Sequence, residues 1–178
     1  VRIIGGLKKG LLIQPPKGLP VRPTTDRAKE SLFNILASRL VLEDILVLDL
    51  FAGTGNMSFE FASRGAAKVN SIDADFACIQ FIKSSALKFG LNQINARKQD
   101  VFAYINQCDS QFDIIFADPP YAISRIPEMI RQILEKPLLK SNALLIIEHS
   151  TLVDVSHEVG FVESRIYGQS SFSFFERK

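Results

Sequence analysis

The chain is poor in the residues that build metal sites and covalent cross-links. Its 178 residues include two cysteines and two histidines. Cys78 and Cys108 fall in stretches that read as helix and form no metal-spaced cluster, so a disulfide framework is excluded and free, buried thiols are expected. His149 and His157 have no Cys, Asp or second His at ligand spacing; both read as bystanders, and no metal is expected. No apolar run nears the roughly 18 residues that span a bilayer. The stretch Val1-Arg2-Ile3-Ile4-Gly5-Gly6 lacks the basic and then apolar segments of a signal peptide, so a cytoplasmic location is expected. Acids are scarce at one end. Residues 1–40 carry eight Lys or Arg against Asp26 and Glu30, a net +6, while the chain as a whole has +2. A basic arm on a mildly acidic body suits a polyanion, and nucleic acid is the expected partner.

What is present is an alternation of strand-like and helix-like segments. Residues 2–14 read as a short hairpin, 15–20 as a proline-stiffened loop, and Thr25 or Asp26 as the cap of a first helix. Residues 45–51 form an almost wholly apolar run, as a strand covered on both faces of a parallel sheet must. Strands are then predicted at 68–74, 95–99, 112–117 and 143–148, with helices at 56–64, 75–89, 101–107 and 126–135. Two last strands, 162–167 and 171–176, flank a tight turn at Gly168, with Phe172, Phe174 and Phe175 read as core. The pattern gives an α/β fold, a Rossmann-like doubly wound, mostly parallel seven-stranded sheet with an antiparallel edge strand. No second domain boundary is evident. Residues 1–40 read as an appendage of the domain formed by 41–178.

Four strand ends carry polar groups. Asp49-Leu50-Phe51-Ala52-Gly53-Thr54-Gly55 joins the first strand to a helix through a glycine turn that lets a ligand approach the backbone. A dinucleotide fingerprint requires a third glycine where Ser58 stands. Asp49 repels a pyrophosphate and suits a cationic ligand, which favours S-adenosylmethionine over NAD. Asp73 ends the second strand and can accept both ribose hydroxyls of an adenosine; Asp75 is better placed to cap the next helix. Asp100 either accepts from an adenine amino group or caps the helix after it. Asp118-Pro119-Pro120-Tyr121 follows the fourth strand. Read alone it is a turn or an amine clamp. Asp118 offers carboxylate acceptors, Pro119 and Pro120 a stiff backbone with free carbonyls, and Tyr121 a face on which a base can stack. Glu148 ends the fifth strand near the same edge.

The chain resembles the RsmD family of bacterial methyltransferases. The resemblance rests on Arg2-Ile3-Ile4-Gly5-Gly6, on Arg22-Pro23-Thr24-Thr25-Asp26-Arg27 with Glu30 and Leu32-Phe33-Asn34, on Asp49 through Gly55, on Ser63-Arg64-Gly65-Ala66, and on Asp118-Pro119-Pro120-Tyr121. It implies a class I fold that uses S-adenosylmethionine and releases S-adenosylhomocysteine. It also implies methylation of the exocyclic N2 of a guanine in 16S ribosomal RNA, presented on a 30S particle or assembly intermediate, by a monomer. The implied cofactor residues are Asp49, Phe51, Ala52, Gly53, Thr54, Gly55, Asp73, Ala74, Asp100 and Val101. The implied RNA-binding residues are Arg2, Lys8, Lys9, Arg22, Thr24 and Arg27, with Asp118 to Tyr121 catalytic. Asn56 and Ser58 stand where the family usually has small Ala and Gly, and Asp73 where Glu is common. Because the DPPY motif is shared by many amino-methylating enzymes, an adenine N6 or protein-amide methyltransferase remains an alternative, as does a non-catalytic RNA-binding assembly factor.

Overall fold

The computed structural model describes residues 1–19, 24–120 and 124–177; Arg22 and Tyr121 lie outside the described residues. Among the described residues seven strands form one sheet in the order β3-β2-β1-β4-β5-β7-β6. In chain order they are β1 (Leu46–Leu50), β2 (Lys68–Asp73), β3 (Ile94–Lys98), β4 (Phe112–Ala117), β5 (Leu139–Ser150), β6 (Phe161–Tyr167) and β7 (Ser170–Glu176). The helices are α1 (Asp26–Arg39), α2 (Asn56–Ser63), α3 (Phe76–Phe89), α4 (Val101–Gln107) and α5 (Ile126–Glu135). The order reverses between β1 and β4, which places a crevice at the carboxyl ends of those two strands.

The apolar strand runs are continuous because both faces are covered. Along β4, Ile114 and Phe116 join the core under α1, α2 and α3, while Ile115 and Ala117 join the core under α4 and α5. Burying an Ile or Phe side chain fully contributes about 1.5–3 kcal/mol. Phe172 and Phe174 face the first core and Phe175 the second. Among the described residues no helix is long and apolar enough to cross a membrane.

Two details differ from the sequence reading. The antiparallel strand is β7, which pairs with both β5 and β6, so the edge itself is β6. The hairpin inserts its second strand next to β5 because that strand carries the Phe residues that complete both cores. Strand β5 also begins at Leu139, before the expected residue 143. Asn142 takes a left-handed conformation (φ 62°) and the β4–β5 register shifts there, so the chain passes the irregularity and stays in the sheet.

The N-terminal arm is a small hairpin with one bridge, Arg2 to Leu12. It is docked along α2. Ile3 and Ile13 are buried in the first core. Ile4 N–H donates to Glu60 Oε2 at 2.9 Å, Leu7 N–H to the Ser63 carbonyl at 2.7 Å, and Ser63 Oγ to the Gly5 carbonyl at 2.6 Å. Gly6 has φ 74°, and a Cβ there would lie 1.9 Å from the Ser63 carbonyl oxygen, so this contact requires glycine. Lys29 locks the arrangement from α1. Its ammonium, wholly buried, finds three acceptors for three protons: Arg2 O at 2.5 Å, Asn56 Oδ1 at 2.9 Å and Glu60 Oε2 at 3.2 Å. Arg64 pairs with the other Glu60 oxygen at 2.8 Å. Burial pulls the Lys29 pKa below the usual lysine value, against the opposing pull of Glu60.

Candidate active site

A cavity of about 830 Å³ opens at the crevice, within the range that holds a cofactor or small ligand. Strand pairing brings its polar groups to one edge. Leu50 pairs with Ile72 on one side and Ala117 on the other, so Asp73 and Asp118, the next residues, flank Phe51. Backbone bonds close the loops over this edge: Ala52 N–H to Ile72 O at 3.0 Å, Asp118 N–H to Leu50 O at 3.3 Å and Gln99 N–H to Asp73 O at 2.9 Å. Asp49, Phe51, Ala52, Gly53, Thr54, Asp73, Ala74, Asp100, Val101, Asp118, Pro119 and Pro120 all line the cavity, together with Thr24 from the far side of the basic segment.

Each acid has a distinct environment. Asp49 is 2% exposed. Its Oδ2 accepts from Ser58 Oγ at 2.5 Å, and Ser71 Oγ lies 2.6 Å behind Ser58. Burial raises the Asp49 pKa to about 7; the Ser58 bonds oppose this, and the nearby Asp73 charge adds to it. Asp73 is half-buried and braces the glycine loop. Its Oδ2 accepts from Gly53 N–H and its Oδ1 from Asp75 N–H, both at 2.8 Å. Each carboxylate oxygen keeps further lone-pair capacity toward the cavity. Asp75 caps α3 through Cys78 N–H, and Asp100 caps α4 through Ala103 N–H, both at 2.9 Å. Asp100 therefore has the capping role and also a place on the cavity wall.

The glycine turn works differently from its sequence reading. At Gly53 (φ 52°) a Cβ would meet only the Phe51 carbonyl oxygen, at 3.9 Å, which leaves the room that close ligand approach requires. Gly55 (φ 75°) is needed for packing: a Cβ there would meet Ile82 Cγ1 at 2.9 Å and Phe59 at 3.0 Å. Phe51 is left-handed too (φ 58°), which costs a non-glycine residue about 1–3 kcal/mol and marks the turn as strained.

Other residues take quieter places. Cys78 is buried in α3 and lines the cavity; burial pushes its thiol up to about 12, which leaves it unreactive. Cys108 is half-buried at the end of α4. His149, 3% exposed, bonds Ser173 Oγ at 2.7 Å and the Ser150 carbonyl at 2.8 Å, and burial lowers its pKa. Among the described residues no group of acidic, His or Cys side chains is set to hold a metal ion.

The basic segment does not converge as a unit. Arg2 and Arg27 are exposed near the start of α1, where Arg2 faces Asp26 at 3.7 Å and its carbonyl meets Lys29. Lys8 and Lys9 sit beside Ser63, at the end of α2 remote from the cavity, about 12 Å along an eight-residue helix. Lys29 has no sequence signal of its role, whereas Asn56 and Ser58 stand out as departures from the family pattern and Glu148, which accepts from Thr24, as a weak candidate at the same sheet edge.

The donor set fits S-adenosylmethionine. A buried acid suits its ammonium, an acid at the second strand suits vicinal hydroxyls, and the Val101 wall beside Asp100 suits an aminopurine. The strand order, the acid-bearing glycine turn and the Asp-Pro-Pro strand end define a class I S-adenosylmethionine-dependent methyltransferase.

The model of the family described as Conserved hypothetical protein 95 matches residues 1–176. Ribosomal RNA small subunit methyltransferase D of Escherichia coli is 34% identical, covering 100% of this chain and 90% of that protein. Its namesake in Haemophilus influenzae is 35% identical over 83% and 78% of the two chains. The solved structure of yhhF from Escherichia coli superposes with a TM-score of 0.85 at 30% identity, covering 100% and 98%. The chain belongs to this family, the ribosomal RNA small subunit methyltransferase D family.

Proposed function

We propose that the protein methylates the exocyclic N2 of a guanine in 16S ribosomal RNA, acting as a monomer on a 30S particle or an assembly intermediate. The observation that carries the reading is the single cavity wall shared by the acid-bearing glycine turn and the Asp118-Pro119-Pro120 strand end. The naming of two relatives as small-subunit rRNA methyltransferases supports the substrate class.

When bound, S-adenosylmethionine supplies an electrophilic methyl group on sulfur and departs as the neutral thioether S-adenosylhomocysteine. Asp49 would hold its ammonium, Asp73 its ribose hydroxyls and Asp100 with Val101 its base. The rest of the work falls to the acceptor side. The guanine N2 lone pair is delocalised into the ring, so the amine is a weak nucleophile. The Asp118 carboxylate and the Pro119 carbonyl accept its two N–H groups, which localises the lone pair and directs it. Tyr121 offers the stacking face for a base that is unpaired or splayed from its helix. The surplus proton on N2 leaves through the Asp118 carboxylate. Positioning supplies most of the acceleration, with no covalent enzyme intermediate. The exposed Arg2 and Arg27, near the start of α1, hold the RNA backbone.

The test is methyl transfer from labelled S-adenosylmethionine to 30S particles, naked 16S RNA and DNA in parallel, followed by nucleoside identification. The expected product is N2-methylguanosine from the particle. N6-methyladenosine, or label in protein, points to the other branches of the motif's chemistry, and no transfer points to a binding factor.

A further inference from the structure

We propose that Thr24 is the residue that distinguishes guanine from other amine-bearing bases, reading the ring N1–H beside the amine that is methylated. The inference rests on the guanine reading above and assigns the recognition to one hydroxyl.

Thr24 Oγ1 donates to Glu148 Oε2 at 2.8 Å. Glu148 is 2% exposed at the carboxyl end of β5. Because Ala117 pairs with Ile147, Glu148 stands level with Asp118 on the neighbouring strand. Thr24 also lines the cavity that Asp118 and Pro119 line. A hydroxyl has one proton and two lone pairs, and a carboxylate can only accept. With its proton held by Glu148, Thr24 can offer a ligand nothing but lone pairs. The bond therefore turns an ambivalent hydroxyl into a fixed acceptor beside the amine clamp.

A row of acceptors reads a row of donors. Guanine presents N1–H next to its N2 amine, so both neighbouring groups donate. Adenine and cytosine present a ring-nitrogen lone pair next to their amine, which would face the Thr24 lone pairs with no proton between them. Leaving that desolvated pair unbonded disfavours the wrong base by about tenfold to a hundredfold. Glu148 is the positioning residue: it does not touch the base but decides which way the Thr24 proton points.

2-Aminopurine keeps the 2-amino group but carries an unprotonated N1 and no 6-oxo group, so variants at Thr24 separate the N1 contact from any contact to O6. Once the methylated guanosine is mapped, 16S RNA with 2-aminopurine at that position is assembled into particles. Turnover by the wild type and by Thr24→Val, Thr24→Ser and Glu148→Gln is then compared on both substrates. The wild type and Thr24→Ser are expected to prefer guanine about tenfold to a hundredfold in kcat/KM. Thr24→Val should move the ratio toward one by losing guanine activity alone. Glu148→Gln can donate its amide proton to Thr24, freeing the hydroxyl proton to face the base, and should shift the ratio toward 2-aminopurine. Competition between guanosine and fluorescent 2-aminopurine riboside reads the same preference as binding, without turnover. A Thr24→Val enzyme that loses both substrates equally, or a wild type that does not discriminate, overturns the assignment. Should Thr24→Val fail to fold, the Glu148→Gln ratio decides: unchanged, it overturns the assignment. A wild type that methylates no guanine in RNA defeats instead the function proposed above.

Discussion

Lowering the pH from 7 to 5 should weaken cofactor binding by about fiftyfold through one carboxylate. Asp49 is almost wholly buried, and burial raises its pKa to about 7. A cationic ligand binds the ionised form. That form is about half the population at pH 7, about a tenth at pH 6 and about a hundredth at pH 5, so affinity falls tenfold per unit on the acid side. The sign follows from the raised pKa. Between the usual carboxylate value near 4 and the folded value near 7, the free protein holds a proton that the unfolded chain does not. Acid therefore favours the empty fold in this window and disfavours the loaded one. Calorimetry with S-adenosylhomocysteine at pH 5.5 to 7, in two buffers of different ionisation heat, measures both quantities. The expected proton release is about 0.9 at pH 6 and about 0.5 at pH 7. Staying at or below pH 7 keeps the ligand's own α-amino group, with a reference pKa near 8, about nine-tenths protonated. Asp49→Asn can keep the Ser58 bond; it should bind more weakly and show no acid limb. A flat affinity from pH 5.5 to 7, or the same limb in Asp49→Asn, would refute the assignment.

Other consequences concern the arm and its anchor. Arg2→Glu and Arg27→Glu should each weaken RNA binding and lower the slope of log K against log salt by roughly 0.7–0.9, as titration over a salt series would show. Lys8→Glu and Lys9→Glu, remote from the cavity along α2, should do less; an effect equal to that of Arg2→Glu would place the RNA elsewhere. Lys29→Met removes the buried partner of Glu60 and should destabilise the fold by about 3–5 kcal/mol in urea unfolding. A loss under about 1 kcal/mol would show that Arg64 and the arm satisfy Glu60 unaided.

The parts of this molecule legible in the sequence are those written in local pattern. The apolar runs of β1 and β4 announced a sheet buried on both faces, and Asp75 marked the start of α3. Convergence of Asp49, Asp73, Asp100 and Asp118 followed because strands in a doubly wound sheet present their carboxyl ends together. What escaped has no local signature. Lys29 reads as an ordinary helix lysine, and only the docked arm reveals that it is sealed against Arg2, Asn56 and Glu60. Thr24 and Glu148 meet across 124 positions of chain, a pairing no periodicity encodes. Ser58 was visible as a departure from the glycine pattern, but its use, holding the buried Asp49 carboxylate, needs the third dimension. Gly55 was legible as a glycine and not as a packing requirement, because Ile82 comes from the next helix.

In the proposed function, the Asp118-Pro119-Pro120 edge is the acceptor half of a two-substrate site whose other half stands without it. The direct measurement pairs methyl transfer to 30S particles with calorimetric cofactor binding in Asp118→Ala. Loss of the N–H acceptor should abolish transfer while leaving cofactor affinity within about twofold, since Asp49, Asp73 and the glycine turn are untouched. Turnover near the wild-type rate, or loss of cofactor binding together with activity, would contradict it.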